Sequence, residues 1–172
     1  MIRFISILCS SILMLLSTST GKPLAVDIVK NNVKLLAQTT IVRIEKLTEE
    51  FHMSPNMVFS GLELIPETPL DRPIEGLASI MENLNIFQMI LFSLEVDGMS
   101  QIHADLVSLQ GIIHSLVLTF NCALPKPGSE SHLDAFLKTN SAFHVTIGNV
   151  ALNRLQRFLS KLILNLDQLK TC

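Results

Sequence analysis

Four stretches of this chain place apolar residues three and four apart, and alternation of period two is sustained nowhere. That spacing puts the apolar side chains of each stretch on one face of an α-helix. In the first, Val26, Val29, Val33, Leu36, Thr40, Ile44 and Leu47 form the stripe, with Asp27, Lys30, Lys34 and Arg43 off it. The second runs through Leu77, Ile80, Leu84, Phe87, Leu91 and Leu94, with Pro73 near its first turn, where proline is tolerated. The third follows Ser100, a candidate N-cap, and carries Ile102, Leu106, Leu109, Ile113, Leu116 and Phe120. The fourth carries Leu152, Leu155, Leu159, Leu162, Leu166 and Leu169. An all-α domain is expected.

The connections between these segments are unequal, and they set the topology. From about Thr48 to Arg72 the chain carries Pro55, Gly61, Pro66 and Pro69, too many breakers for one long helix. From Ala123 to about Asn140 it carries Pro125, Pro127 and Gly128. Only Glu95–Met99 separates the second and third segments, with Asp97-Gly98 as the turn. A short link makes antiparallel neighbours, whereas a long one lets the next helix start from the same end. Long, short, long therefore reads as an up-up-down-down four-helix bundle, the arrangement of long-chain cytokines.

Residues 1–21 read as a signal peptide: Arg3, then apolar Phe4–Leu16, then the small polar run Ser17-Thr18-Ser19-Thr20-Gly21. An apolar run of about 13 residues is too short to span a bilayer, which takes roughly 20. The expected product is a secreted, extracellular domain over 22–172 with no membrane insertion. Cys9 leaves with the leader, so Cys122 and Cys172 remain as a pair, 50 residues apart. In an oxidising compartment such a pair implies a bridge. Both cysteines close helices that run down, so the bridge joins the two at one pole.

Removing residues 1–21 takes away Arg3 alone among the charged side chains, leaving 12 basic and 15 acidic ones. This mildly acidic balance excludes the positive field that nucleic acid or an anionic membrane surface requires. Trp and Tyr are absent and no Asn-x-Ser/Thr sequon occurs. His52, His103, His114, His132 and His144 form no His-x-x-x-His pair, so no metal is expected. Ser129, Ser131, His132 and Asp134 crowd together without a Gly-x-Ser-x-Gly elbow, and no phosphate-binding glycine loop occurs. The expectation is a protein without catalysis or cofactor.

Several segments carry a resemblance. These are Ile41-Val42-Arg43-Ile44, then Gly61-Leu62-Glu63-Leu64-Ile65-Pro66, then Ile102, Asp105-Leu106, Leu109 and His114 up to Cys122. Val150-Ala151-Leu152-Asn153-Arg154-Leu155-Gln156 and the final Cys172 complete the set. Across its mature length the chain resembles the leptins, as a divergent, non-mammalian member lacking the usual tryptophans. The resemblance implies a monomeric circulating hormone of energy balance and appetite. It would cluster a class I cytokine receptor, the leptin receptor, through its ectodomain and trigger Janus-kinase/STAT signalling.

The resemblance also implies two receptor-binding faces. By position, the affinity face falls on Asn32, Leu35, Gln38, Thr39 and Arg43 of the first helix, with Gln101, Ser108, Gly111 and Ile112 of the third. Thr39, Arg43 and Gln101 keep the family residue type and Ile112 replaces another aliphatic, whereas Asn32, Leu35, Gln38, Ser108 and Gly111 depart from it. The activation face combines Leu62, Glu63, Leu64 and Ile65 of the first crossover with Thr146 and Ile147 at the start of the fourth helix. Leu35 is expected to be exposed, Leu62, Leu64 and Ile65 either to anchor a partner or to tuck under the crossover against the bundle, and Arg43 to be either a solvated side chain or an anchor that pairs with a receptor carboxylate. The competing function is a secreted carrier whose leucine-rich helices open around a lipid or other small apolar ligand.

Overall fold

The computed structural model describes residues 25–50, 60–69, 74, 76–94, 98–123, 130–169 and 172. The signal-peptide reading, Asp97 of the hairpin turn, and Pro55, Pro73, Pro125, Pro127 and Gly128 lie outside these residues. The described residues form the helices α1 (Val26–Glu50), α2 (Gly76–Ser93), α3 (Met99–Thr119), α4 (Glu130–Thr139) and α5 (His144–Asn165), with no strand among them. Two single 3-10 turns, Leu62–Leu64 and Ser141–Phe143, lie in the crossovers.

Contacts at the helix ends establish the directions. Lys30, in the first turns of α1, donates to the Leu169 carbonyl just past α5 at 3.1 Å. Glu45, near the other end of α1, accepts from Gln156 of α5 at 2.9 Å. Partner numbers fall along α5 as they rise along α1, so these two helices are antiparallel. Gly76 opens α2 against the backbone of Cys172, and Gly148 near the start of α5 lies against Leu94 and Met99. Leu47 near the end of α1 meets Gly98 before α3. Hence α1 and α2 start at one pole while α3 and α5 end there. This is the up-up-down-down order that the connection lengths imply.

The stripes supply the core. Val33, Thr40, Ile44, Leu47, Leu77, Ile80, Leu84, Ile102, Leu106, Leu152, Leu155 and Leu159 are all buried. Phe87 and Phe158 meet at the centre with ring centroids 5.9 Å apart. Burial of each such side chain contributes about 1.5–3 kcal/mol. By length and composition alone α3 could cross a membrane. Its Ile102, Leu106, Leu109, Ile113, Leu116 and Val117 instead pack in the bundle core.

Two local expectations are corrected. The second crossover contains α4, where Leu133, Phe136 and Leu137 step by three and then one and are buried against the bundle. Ser100 is not the N-cap of α3; that helix starts one residue earlier, at Met99, with Gly98 in the cap position.

Cys122 and Cys172 are bonded, with their α-carbons 5.3 Å apart. Closing a 50-residue loop contributes about 4 kcal/mol in the chain-entropy model. Gly76 makes room for this clamp. Its φ is +63°, and a β-carbon there would collide with the carbonyl of Cys172. At the same pole Lys34 pairs with Asp167 at 2.5 Å. That hydrogen bond holds the exposed Asp167 carboxyl below its ordinary value of 3.8, against the opposing effect of desolvation.

Candidate functional site

The outer surface of α1 and α3 is organised from inside by Asp105. Its carboxylate is 5% exposed, and burying it requires partners. Arg43 Nη1 donates to Oδ2. Gln101 Nε2 donates to Oδ1 at 3.1 Å, and Thr40 Oγ1 reaches Oδ2 at 3.4 Å. Two residues expected on the affinity face, Arg43 and Gln101, are therefore joined through a third that sequence reasoning gave no role. Neither reading of Arg43 foresaw this tie: the side chain is 40% exposed, and part of its guanidinium is already occupied within the chain. A signal for Asp105 was present: with Ile102 and Leu109 it shares the apolar register of α3.

Around this centre the other affinity-face residues present themselves unevenly. Leu35 is 65% exposed, as expected. Asn32, Gln38, Ser108 and Gly111 are exposed, while Thr39 and Ile112 are half-buried. Thr39 Oγ1 turns back to the Leu35 carbonyl at 2.9 Å, and Ser108 Oγ to that of Ala104 at 3.0 Å, so both hydroxyls are used locally. Ile28 and Val42 are exposed too, and stand seven residues before and after Leu35. At that spacing the three lie along one line of α1. The sequence carried this line, but the core stripe drew attention away from it. Toward the end of α1, Arg43, Lys46, Leu47, Gly98, Gln101 and Ile102 enclose an open cleft of about 280 Å³.

The crossover face is built on Gly61. At φ +97° it takes a left-handed conformation, and a β-carbon would strike the Phe136 ring of α4. The Gly61 amide donates to the Glu63 carboxylate at 3.0 Å, and the Leu64 and Ile65 amides close the 3-10 turn on the carbonyls of Gly61 and Leu62. Arg154 of α5 holds the turn from below. Its Nη1 donates to the Leu62 and Ile65 carbonyls, both at 2.7 Å, and its Nη2 lies 3.4 Å from Glu67. Lys161 donates to the Pro69 carbonyl further along α5. The role of Arg154 was not legible, because its partners lie about ninety positions away.

Not every residue expected on this face is on its surface. Glu63 is exposed and Leu62, Leu64 and Thr146 are half-buried. Ile65 is 1% exposed and Ile147 is fully buried, so neither side chain is presented. Ile65 plugs the turn into the bundle, and Ile147 continues the core stripe of α5 through Ala151 and Leu155. Thr146 precedes Arg154 by eight residues, about 12 Å along the helix axis.

Comparison with known proteins places this geometry. A sequence model of the leptin family matches residues 25–172, from the start of α1 to the bridged cysteine. Leptin-B of Oryzias latipes is 36% identical over 148 residues, covering 86% of this chain and 83% of its own length. Leptin of Pongo pygmaeus is 31% identical over 144 residues, covering 84% of this chain and 97% of its own. Leptin of Pan troglodytes is 30% identical over the same coverage. With a family match across the whole four-helix domain, this chain belongs to the leptin family.

Proposed function

We propose that this chain is a secreted hormone that binds and clusters a class I cytokine receptor, the leptin receptor of its own species. Residues 1–21 are its cleaved signal peptide and 22–172 the active domain. It acts as a monomer and carries out no chemistry; phosphorylation belongs to the Janus kinases attached to the receptor, which then drive STAT signalling in energy balance and appetite. The observation that carries this reading is the leptin-family match over residues 25–172.

Two surfaces then have separate work. The α1/α3 surface, with Asn32, Leu35, Gln38, Thr39, Arg43, Gln101, Ser108 and Ile112, supplies affinity. Leu35 suits an anchor because a large, exposed apolar side chain gains most when a partner covers it. The crossover surface, with Leu62, Glu63 and Leu64 together with Thr146, supplies activation by engaging a second part of the receptor. Ile65 and Ile147 serve it from the core. The carrier reading is not favoured, because Phe87, Phe158 and the leucine stripes fill the bundle interior.

The test is binding of the secreted, disulfide-bonded protein to the same-species receptor ectodomain by surface plasmon resonance. The reading expects saturable binding that weakens about tenfold or more on Leu35→Ala, the range of an interface hot spot. Absence of binding by the wild-type protein would end it.

A further inference from the structure

We infer that the cleft between the end of α1 and the start of α3 receives a carboxylate side chain of the protein partner, held by Lys46 and the outer part of Arg43. This rests on the affinity-face reading above and names the chemistry of one contact in it.

The cleft encloses about 280 Å³ and is open to solvent. Pockets for drug-sized ligands run from about 300 to 1,000 Å³, so this one suits a single side chain rather than a small molecule. Leu47 and Ile102 give it apolar walls, and Gly98 contributes no side chain to its rim. Among the described residues that line it, the charged ones are the two cations Arg43 and Lys46.

Two described acids near the cleft are already engaged within the chain. Asp105, the acid beneath it, is buried and already accepts from Arg43, Gln101 and Thr40. Glu45 is engaged across the α1/α5 seam by Gln156. Arg43 meets Asp105 through Nη1, yet its side chain remains 40% exposed, and a guanidinium has five N–H donors. Lys46 is exposed and makes no ion pair among the described residues. One cation is thus pre-oriented by a buried acid, and the other makes no ion pair among the described residues. Apolar walls strengthen the attraction of both for an entering anion, because they exclude water from its far side. Asp105 has a second effect: by fixing the Arg43 guanidinium, it reduces the freedom lost when a carboxylate docks.

The test uses surface plasmon resonance against the same-species receptor ectodomain, at several salt concentrations. Lys46 is exposed, so its variants fold. Lys46→Gln should weaken binding about fivefold, the upper range for a partly solvated pair, and flatten the salt dependence. Lys46→Glu should weaken it further, and Lys46→Arg should bind as wild type. Asp97→Asn removes the acid next in sequence to Gly98; it should keep or raise affinity, and a loss matching Lys46→Gln would overturn the inference. If the wild type binds and Leu35→Ala weakens it, but Lys46→Glu leaves affinity and salt slope unchanged, the inference fails while the affinity face stands. If the wild type does not bind the receptor, the parent reading has failed.

Discussion

Arg43 of α1 donates to the buried carboxylate of Asp105 on α3, so a residue expected to meet a receptor is also an internal tie between two helices. Gln101 and Thr40 complete the coordination of that carboxylate. A loss of activity on mutating Arg43 therefore mixes two causes, a missing contact and an unpaired buried charge.

Arg43→Ala should lower unfolding stability by about 2–3 kcal/mol, the cost of removing a charged partner from a largely buried group. Arg43→Ala with Asp105→Leu should recover most of that stability, because no charge is then left unpaired. Urea denaturation of the four proteins of this cycle gives the coupling directly. Receptor affinity should stay low in the double variant. Equal recovery of affinity and stability would make Arg43 purely structural.

Arg154 ties α5 to the crossover through the Leu62 and Ile65 carbonyls. Arg154→Gln should cost about 2 kcal/mol, since hydrogen bonds from a charged donor are the stronger kind. Hydrogen exchange should accelerate over residues 60–69 and remain slow in α1 and α3. Receptor binding should be retained while signalling falls, because the affinity surface does not touch this clamp.

At the pole of the bridge, Cys172→Ser should lower stability by about 2–4 kcal/mol in thermal unfolding. Gly76→Ala should destabilise by a further route, about 1–3 kcal/mol from its positive φ and from collision with the Cys172 carbonyl. Mass spectrometry of the Gly76→Ala protein should show more free thiol at Cys122 than wild type shows. An unchanged melting temperature for Cys172→Ser would remove the bridge as a stabiliser.

Asp167 adds an acid dependence of known sign. Its carboxyl is held below 3.8 by Lys34 in the folded chain, so its contribution is present above the unfolded value. That contribution is lost as pH falls through the folded one. Melting temperatures of wild type and Asp167→Asn should therefore differ at pH 6 and converge in acid, once the pH lies below the folded value. A difference that persists at the acid end would contradict the pairing.

The long helices were legible because each repeats its 3–4 step over six apolar positions, and the connection lengths then left one topology. The clamp was legible because only two cysteines remained to pair. The short α4 was not, since Pro125, Pro127 and Gly128 outweighed Leu133, Phe136 and Leu137 in a ten-residue element. The burial of Ile147 could have been read, as it stands four before Ala151 and eight before Leu155. That of Ile65 could not, because a crossover side chain has no periodicity to reveal its direction. The ties made by Arg43 and Arg154 span 62 and about 90 positions, and pairings at that range follow from packing, which local pattern does not encode.

The central claim, that affinity and activation occupy separate surfaces of one hormone, is tested most directly in cells bearing the same-species leptin receptor and a STAT reporter. The variant is Leu62→Ala, Glu63→Ala and Leu64→Ala together, with the core residue Ile65 left in place. The account predicts affinity for the receptor ectodomain within about threefold of wild type, and loss of the reporter response at saturating protein. Full signalling, or affinity and signalling falling together, would contradict it.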